Sequence, residues 1–283
     1  MYGSIEFGGT KIKCAAFDEN GKMTSDIWID TGNPTNNLKK IGEFFKKNPV
    51  EKAGVGAFGP IDLNEKSKTY GHIQNTPKKL WVDFNLLENL KKEVCEKIGL
   101  VTDVGLSLIG ESQKGAGLDT NSSLYLTVGT GIGGAYVQDG KLLNGYSHPE
   151  MGHISVERLK DDDFKSSCTY HKNCLEGLAS GPSINKRLGK NPKDADLKEK
   201  PFKIAANYIA KAIYTYTLVL RPEVVIIGGG LINKEVFIEL IREEFDKIKG
   251  DYVEVKTSEK YIVKPKLGND SALIGGYLLA KSL

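Results

Sequence analysis

Apolar residues fall in short runs along this chain, and glycine or polar clusters separate them. Ser4–Phe7, Lys13–Phe17 and Met23–Ile29 have the length and alternation of strands, and Gly8-Gly9-Thr10 and Glu19-Asn20-Gly21 punctuate them as tight turns. A three-strand meander follows. After Pro34, the stretch Leu38–Phe45 mixes polar and apolar positions, and Ala53–Phe58 reads as a strand. Asn85 is placed to cap a helix carrying Leu86, Leu90, Val94 and Ile98 along one face. Leu100–Asp103 is strand-like, and Leu106–Gly115 is helical in pattern.

The opening pattern then returns. Leu124–Val128 predicts a strand, residues 129–134 a glycine-rich turn, Ala135–Gln138 a strand, Asp139-Gly140 a hairpin, and Lys141–Leu143 a further strand. Both halves thus run strand, Gly/Thr turn, strand, Gly-Lys turn, strand, a weak internal duplication. Phe202–Leu220 reads as a long, mostly buried helix, Val224–Ile227 as a strand running into Gly228-Gly229-Gly230, and Glu235–Ile248 as an amphipathic helix. Mixed strands and helices in two similar halves predict two α/β domains facing a cleft. The repeat divides the chain near Gly117, into 1–117 plus a returning C-terminal helix at 272–283, and 118–271.

Composition narrows the class. At 283 residues the chain can bury a full core in each of two modest domains. A net charge of +3, with lysines spread along the chain, leaves no nucleic-acid footprint. The start MYGSIEFGG lacks the basic and apolar blocks of a signal peptide, and no stretch reaches the length of a membrane span, so a cytoplasmic location is expected. Four cysteines in a chain this long do not suggest a disulfide framework.

Three features carry candidate chemistry. Gly/Thr turns can present backbone N–H groups and a hydroxyl to phosphate oxygens, because glycine lets the backbone approach closely. The chain has two such turns in matching contexts and a third glycine cluster at Gly228–Gly230; the alternative is that they only close hairpins. Residues 129–134 formally spell G-x-G-x-x-G, but a hairpin follows where a dinucleotide site needs a helix, so a Rossmann oxidoreductase is rejected. No Walker A sequence is present. Asp103, between a strand and a helix, is placed to accept a proton from an attacking hydroxyl, or simply to cap the helix. Cys168, His171 and Cys174, each separated by two residues, and His153 upstream form a two-thiolate, two-imidazole set suited to structural tetrahedral zinc. The alternative there is a lysine-rich loop with two spare thiols.

Read together, these segments resemble the ROK family of sugar kinases, and within it the bacterial zinc-containing fructokinases. The likeness runs through IEFGGTKIKCA, GAFGPID, TYGHIQNTPKKLW, TDV, LTVGTGIGG, HPEMGHI, CTYHKNCLEGLASGP, IIGGG and PKLGND, almost end to end. The resemblance implies a two-domain actin-like, hexokinase-like (ribonuclease H-like) α/β fold with an interdomain cleft. It implies Asp103 as catalytic base, and Glu150, His153, Glu176, Gly59 and Asn75 as sugar contacts. His153, Cys168, His171 and Cys174 would be zinc ligands. Gly9, Thr10, Lys11, Thr130, Gly131, Gly133, Gly134, Gly181, Pro182, Gly228, Gly229 and Gly230 would line the ATP site. Magnesium would bridge phosphate oxygens near Glu6 or Asp103. The implied partners are ATP, a hexose and a second copy of the chain. The family usually has Asn-Ala-Ala after Thr-Asp-Val; here Gly105-Leu106-Ser107 stand instead. The family's sugar-responsive repressors carry a helix-turn-helix before the first phosphate strand, where this chain reaches Gly8-Gly9-Thr10 almost at once. Glucose, mannose and N-acetylmannosamine are the rival substrates, and a non-catalytic sugar sensor is the rival class.

Overall fold

Among the described residues, two five-stranded sheets share one topology. The computed structural model describes residues 1–189, 195–197, 199–232 and 235–283. In the first sheet β1 (Tyr2–Phe7) pairs antiparallel with β2 (Lys11–Phe17), and β2 with β3 (Met23–Asp30). On its other side β1 runs parallel to β4 (Lys52–Ala57), which runs parallel to β5 (Lys97–Thr102), giving the order β3-β2-β1-β4-β5. The second sheet repeats this: β6 (Ser122–Val128) pairs antiparallel with β7 (Ile132–Gln138) and parallel with β9 (Val224–Gly228), flanked by β8 (Lys141–Leu142) and β10 (Ile262–Val263) in the order β10-β9-β6-β7-β8. The duplication legible in the turns is therefore a duplication of topology.

The chain divides into two compact units. One comprises Met1–Leu118, Lys141–Pro149 and Lys266–Leu283; the other comprises Asp119–Gly140 and Glu150–Pro265. In the first, α1 (Pro34–Lys47) starts where Asn33 accepts the N–H of Asn36 and Pro34 needs no donor; Lys46 and Lys47 complement its last turn. Its buried face, Leu38, Ile41, Phe44 and Phe45, joins Ile5, Phe7 and Val55 of the sheet in the core. Trp81 is buried there among Phe7, Phe58 and Phe84, with ring centroids 5.5–5.8 Å apart, and its indole N–H donates to the Gly32 carbonyl.

Two expectations shift. Asn85 caps α2 (Leu86–Glu93) as expected, but the helix stops before Val94 and Ile98 belongs to β5. Gly99 follows Ile98 and weakens any helix, whereas Ile98 finds a parallel partner in Ala53 of β4. The next helix, α3 (Asp103–Lys114), begins three residues before Leu106 because Thr102 caps it, accepting the N–H of Gly105 at 3.0 Å.

The C-terminal helix α9 (Ser271–Ser282) packs on α3, β1 and β4. The approach to α3 is so close that a Cβ on Gly275 would lie 1.8 Å from the Leu106 carbonyl oxygen. Glu111 of α3 is fully buried and ties this packing together. Its carboxylate accepts from the backbone N–H groups of Ala116, Lys266 and Leu267 and from the Ser271 hydroxyl, at 2.6–3.0 Å.

In the second unit α6 (Lys200–Leu220) lies against α7 (Glu235–Lys249), with Phe202, Ile209, Ile213 and Tyr216 in a core shared with Phe237, Ile241 and Phe245. Alanines at 205, 206, 210 and 212 are buried and let α6 approach its neighbours closely. Two short helices, α4 (Leu175–Ala179) and α5 (Gly181–Leu188), precede α6, and α8 (Ser258–Tyr261) follows α7. Among the described residues no helix is long and apolar enough to cross a membrane.

Candidate active site

Three glycine segments of the second unit meet at the carboxyl ends of the parallel strands β6 and β9. The turn between β6 and β7 holds Gly129, Thr130 and Gly131, closed by the Gly129 N–H to the Gly131 carbonyl at 2.9 Å. Gly181, the first residue of α5, donates its N–H to the Gly129 carbonyl at 2.8 Å, with Pro182 next to it. Gly229, between Gly228 and Gly230, has φ +100°, and a Cβ there would stand 2.4 Å from the Val128 carbonyl oxygen. Gly133 and Gly134 continue along β7. Backbone amides at a glycine turn beside a helix N-terminus suit an anionic group.

The corresponding turn of the first unit, Gly9 and Thr10, joins β1 to β2. Gly8 donates to the Lys11 carbonyl at 2.9 Å, and Thr31 bonds to Thr10 and Gly8. The Lys11 ammonium pairs with Asp30, and Glu6 pairs with Lys13 at 2.8 Å.

Asp103 opens α3 directly after β5, partly exposed, with Oδ1 accepting the N–H of Val104 at 2.9 Å. The capping role falls to Thr102, so helix capping does not account for this carboxylate. Gly59, joined to Pro60 by a cis peptide, and the exposed Asn75 lie in the excursion between β4 and α2. Gln74 donates to the Pro60 carbonyl there at 2.8 Å, and Thr69 donates to buried Asp62 at 2.7 Å.

The ligating atoms of His153, Cys168, His171 and Cys174 all lie within 4.8 Å of one another. Cys168 Sγ is 3.9 Å from His153 Nδ1 and 3.7 Å from His171 Nδ1. Zinc bond lengths set an S···N tetrahedral edge of about 3.6 Å, so the four residues fit that ion. The N–H groups of Tyr170 and Gly177 point at Cys168 Sγ and Cys174 Sγ, as outer-shell donors to thiolates do. His153 is held from both sides of its own turn. Glu150, exposed, precedes it and accepts its N–H at 3.0 Å, while Gly152 packs so tightly that a Cβ would sit 1.6 Å from the Ile132 carbonyl oxygen. With Nδ1 on the metal side, His153 Nε2 faces Glu176 Oε1 at 3.8 Å.

Sequence reasoning missed the braces of this loop. Arg158 donates to Asn173 Oδ1 and to the carbonyls of Asp162, Phe164 and Lys172, at 2.7–3.0 Å. Asp162 is bound by Arg187 and Tyr208. Charged residues in a lysine-rich loop gave no periodic signal. Their only sequence cue is that arginine is scarce here while lysine is common.

A glycine turn and parallel strand pair in each of two repeated sheets define the two-domain actin-like fold. The structure of a ROK hexokinase from Thermus thermophilus shares it, with a TM-score of 0.79 and 24% identity over 99% of this chain and 98% of that one. The ROK family profile matches residues 2–283. The fructokinase of Pediococcus pentosaceus is 40% identical over 282 residues, spanning 100% of this chain and 98% of its own. The fructokinase of Lactococcus lactis subsp. cremoris is 41% identical over 285 residues, spanning 100% and 97%. The chain belongs to the ROK family.

Proposed function

We propose that this chain is an ATP-dependent hexose kinase that converts fructose to fructose 6-phosphate. The observation that carries this reading is the end-to-end match, at about two residues in five, to proteins called fructokinase. Phosphoryl transfer asks for alignment and charge neutralisation more than for covalent chemistry. In this reading the turns at Gly9–Lys11 and Thr130–Gly134, with Gly181-Pro182 and Gly228–Gly230, hold the nucleotide. Asp103 accepts the proton of the sugar's 6-hydroxyl as the oxygen attacks the terminal phosphorus and the bond to the leaving diphosphate breaks. Glu150, His153, Glu176, Gly59 and Asn75 hold sugar hydroxyls. Magnesium, when bound with ATP, supplies charge neutralisation on the phosphate oxygens.

Zinc at His153, Cys168, His171 and Cys174 would fix the orientation of His153 and leave Nε2 free for hydrogen bonding; it takes no part in the transfer. We place the protein in the cytoplasm, where ATP is supplied and thiolates stay reduced, and as a homodimer. The deciding experiment couples ADP release to NADH oxidation across fructose, glucose, mannose and N-acetylmannosamine. Fructose should give the highest kcat/KM. A higher value on glucose would make the protein a glucokinase, and no turnover on any of them would make it a sugar sensor.

A further inference from the structure

Glu176 reaches out of the metal loop into the glycine turn. It stands two residues after Cys174, on α4, which is fixed by Leu175 and Leu178, both fully buried. Its Oε2 accepts the N–H of Ile132 at 3.0 Å. The contact depends on a bare backbone, because a Cβ on Gly131 would lie 2.6 Å from that same oxygen. The β6–β7 ladder brings the chain to the turn as far as Val128 and Ile132. Gly129 and Gly131 carry no side chain, and among the described residues the other bonds that close the turn beyond that ladder are backbone ones, Gly129 to Gly131 and Gly181 to Gly129. Glycine segments lose the most freedom on ordering, so a side-chain hydrogen bond at the end of the turn has a large effect on how well it is formed before a ligand arrives.

We propose that Glu176 is a positioning residue for the nucleotide as well as a sugar ligand. Oε2 holds the Gly129–Ile132 turn in its phosphate-receiving form, while Oε1 is left for the side of the site where His153 Nε2 stands. This rests on the reading of the turn as the nucleotide's phosphate site. Glu176 therefore acts on ATP affinity with no sugar present.

The test separates charge from hydrogen bond. Glu176→Gln keeps the length and an oxygen that accepts from Ile132, but loses the charge. Glu176→Asp keeps the charge but is one methylene too short to reach. Affinity for magnesium and a non-hydrolysable ATP analogue is measured by calorimetry without sugar, with zinc content and melting temperature recorded for each variant. Glu176→Asp should raise Kd about tenfold or more, while Glu176→Gln stays within about threefold of wild type. Wild-type affinity in Glu176→Asp would overturn the proposal, as would an equal loss in both variants. If the unaltered protein shows no saturable binding of the analogue, the nucleotide reading itself fails and the proposal falls with it.

Discussion

Arg187 grips Asp162 through two parallel hydrogen bonds, Nη1 to Oδ1 at 2.5 Å and Nη2 to Oδ2 at 2.7 Å, with both side chains at least 94% buried. The Arg187 bonds hold the Asp162 carboxyl down at about 2, against the opposing effect of burial and with help from the Tyr208 hydroxyl. A carboxyl depressed in the folded state adds stability above its unfolded value, near 3.8, and loses it as pH falls through about 2. The contribution is about 2 kcal/mol. Denaturant melts between pH 5 and pH 2 should show Asp162→Asn with a shallower acid-side loss than wild type. Asp162→Asn should also be less stable at neutral pH, because Arg187 is left buried with no countercharge. Parallel curves for the two proteins would show that this pair does not govern acid stability.

Elemental analysis of the purified, tag-free protein should find about one zinc per chain. Cys168→Ser should lose most of it, since a hydroxyl is a poor replacement for thiolate. Arg158 binds the loop from Asp162 to Asn173 through oxygen acceptors that need no metal, so the loss should leave the fold intact. The sugar KM should rise more than the ATP KM, because His153 is both a ligand of this cluster and a proposed sugar contact. Zinc near zero together with full activity in chelator would reduce the cluster to a loop with two thiols.

Asp103→Asn should lower kcat by about 10²-fold or more while sugar affinity, read by calorimetry, stays near wild type. The amide keeps the oxygen that accepts from Val104 but cannot take a proton. Near wild-type kcat would remove Asp103 from the base role.

Gly105 and Gly275 both face α3 contacts but should respond oppositely to alanine. At Gly105 the nearest atom to an added Cβ is Thr102 Oγ1 at 3.1 Å, a side chain able to shift slightly. Gly105→Ala should therefore raise stability by about 0.5 kcal/mol through helix propensity. At Gly275 the added carbon meets backbone, so Gly275→Ala should cost about 3 kcal/mol or more by prising α9 from α3. Thermal melts of the two variants side by side check both signs, and a destabilised Gly105→Ala would mean that Thr102 cannot yield.

Local chemistry alone determined much of this protein. Asn85 has a side chain that caps helices, and it does so. Met23–Ile29 alternates, and it forms a half-exposed strand. The Cys168, His171 and Cys174 spacing is legible because thiolates and imidazoles are rare in the chain and three of them fall within seven residues, where a turn can gather them on one ion. Tertiary structure decided the rest, because those residues act through partners remote in sequence. Ile98 is apolar in either a helix or a strand, and only the free edge of β4 selects the strand. Glu111 carries no mark in the sequence that sets it apart from the other acids, yet Leu267 and Ser271, more than 150 residues away, donate to it in the core. Glu176 likewise meets Ile132 across 44 residues. Hydrogen bonds to backbone N–H groups leave no mark in the identity of the donor, so no pattern of side chains along the chain could have announced them.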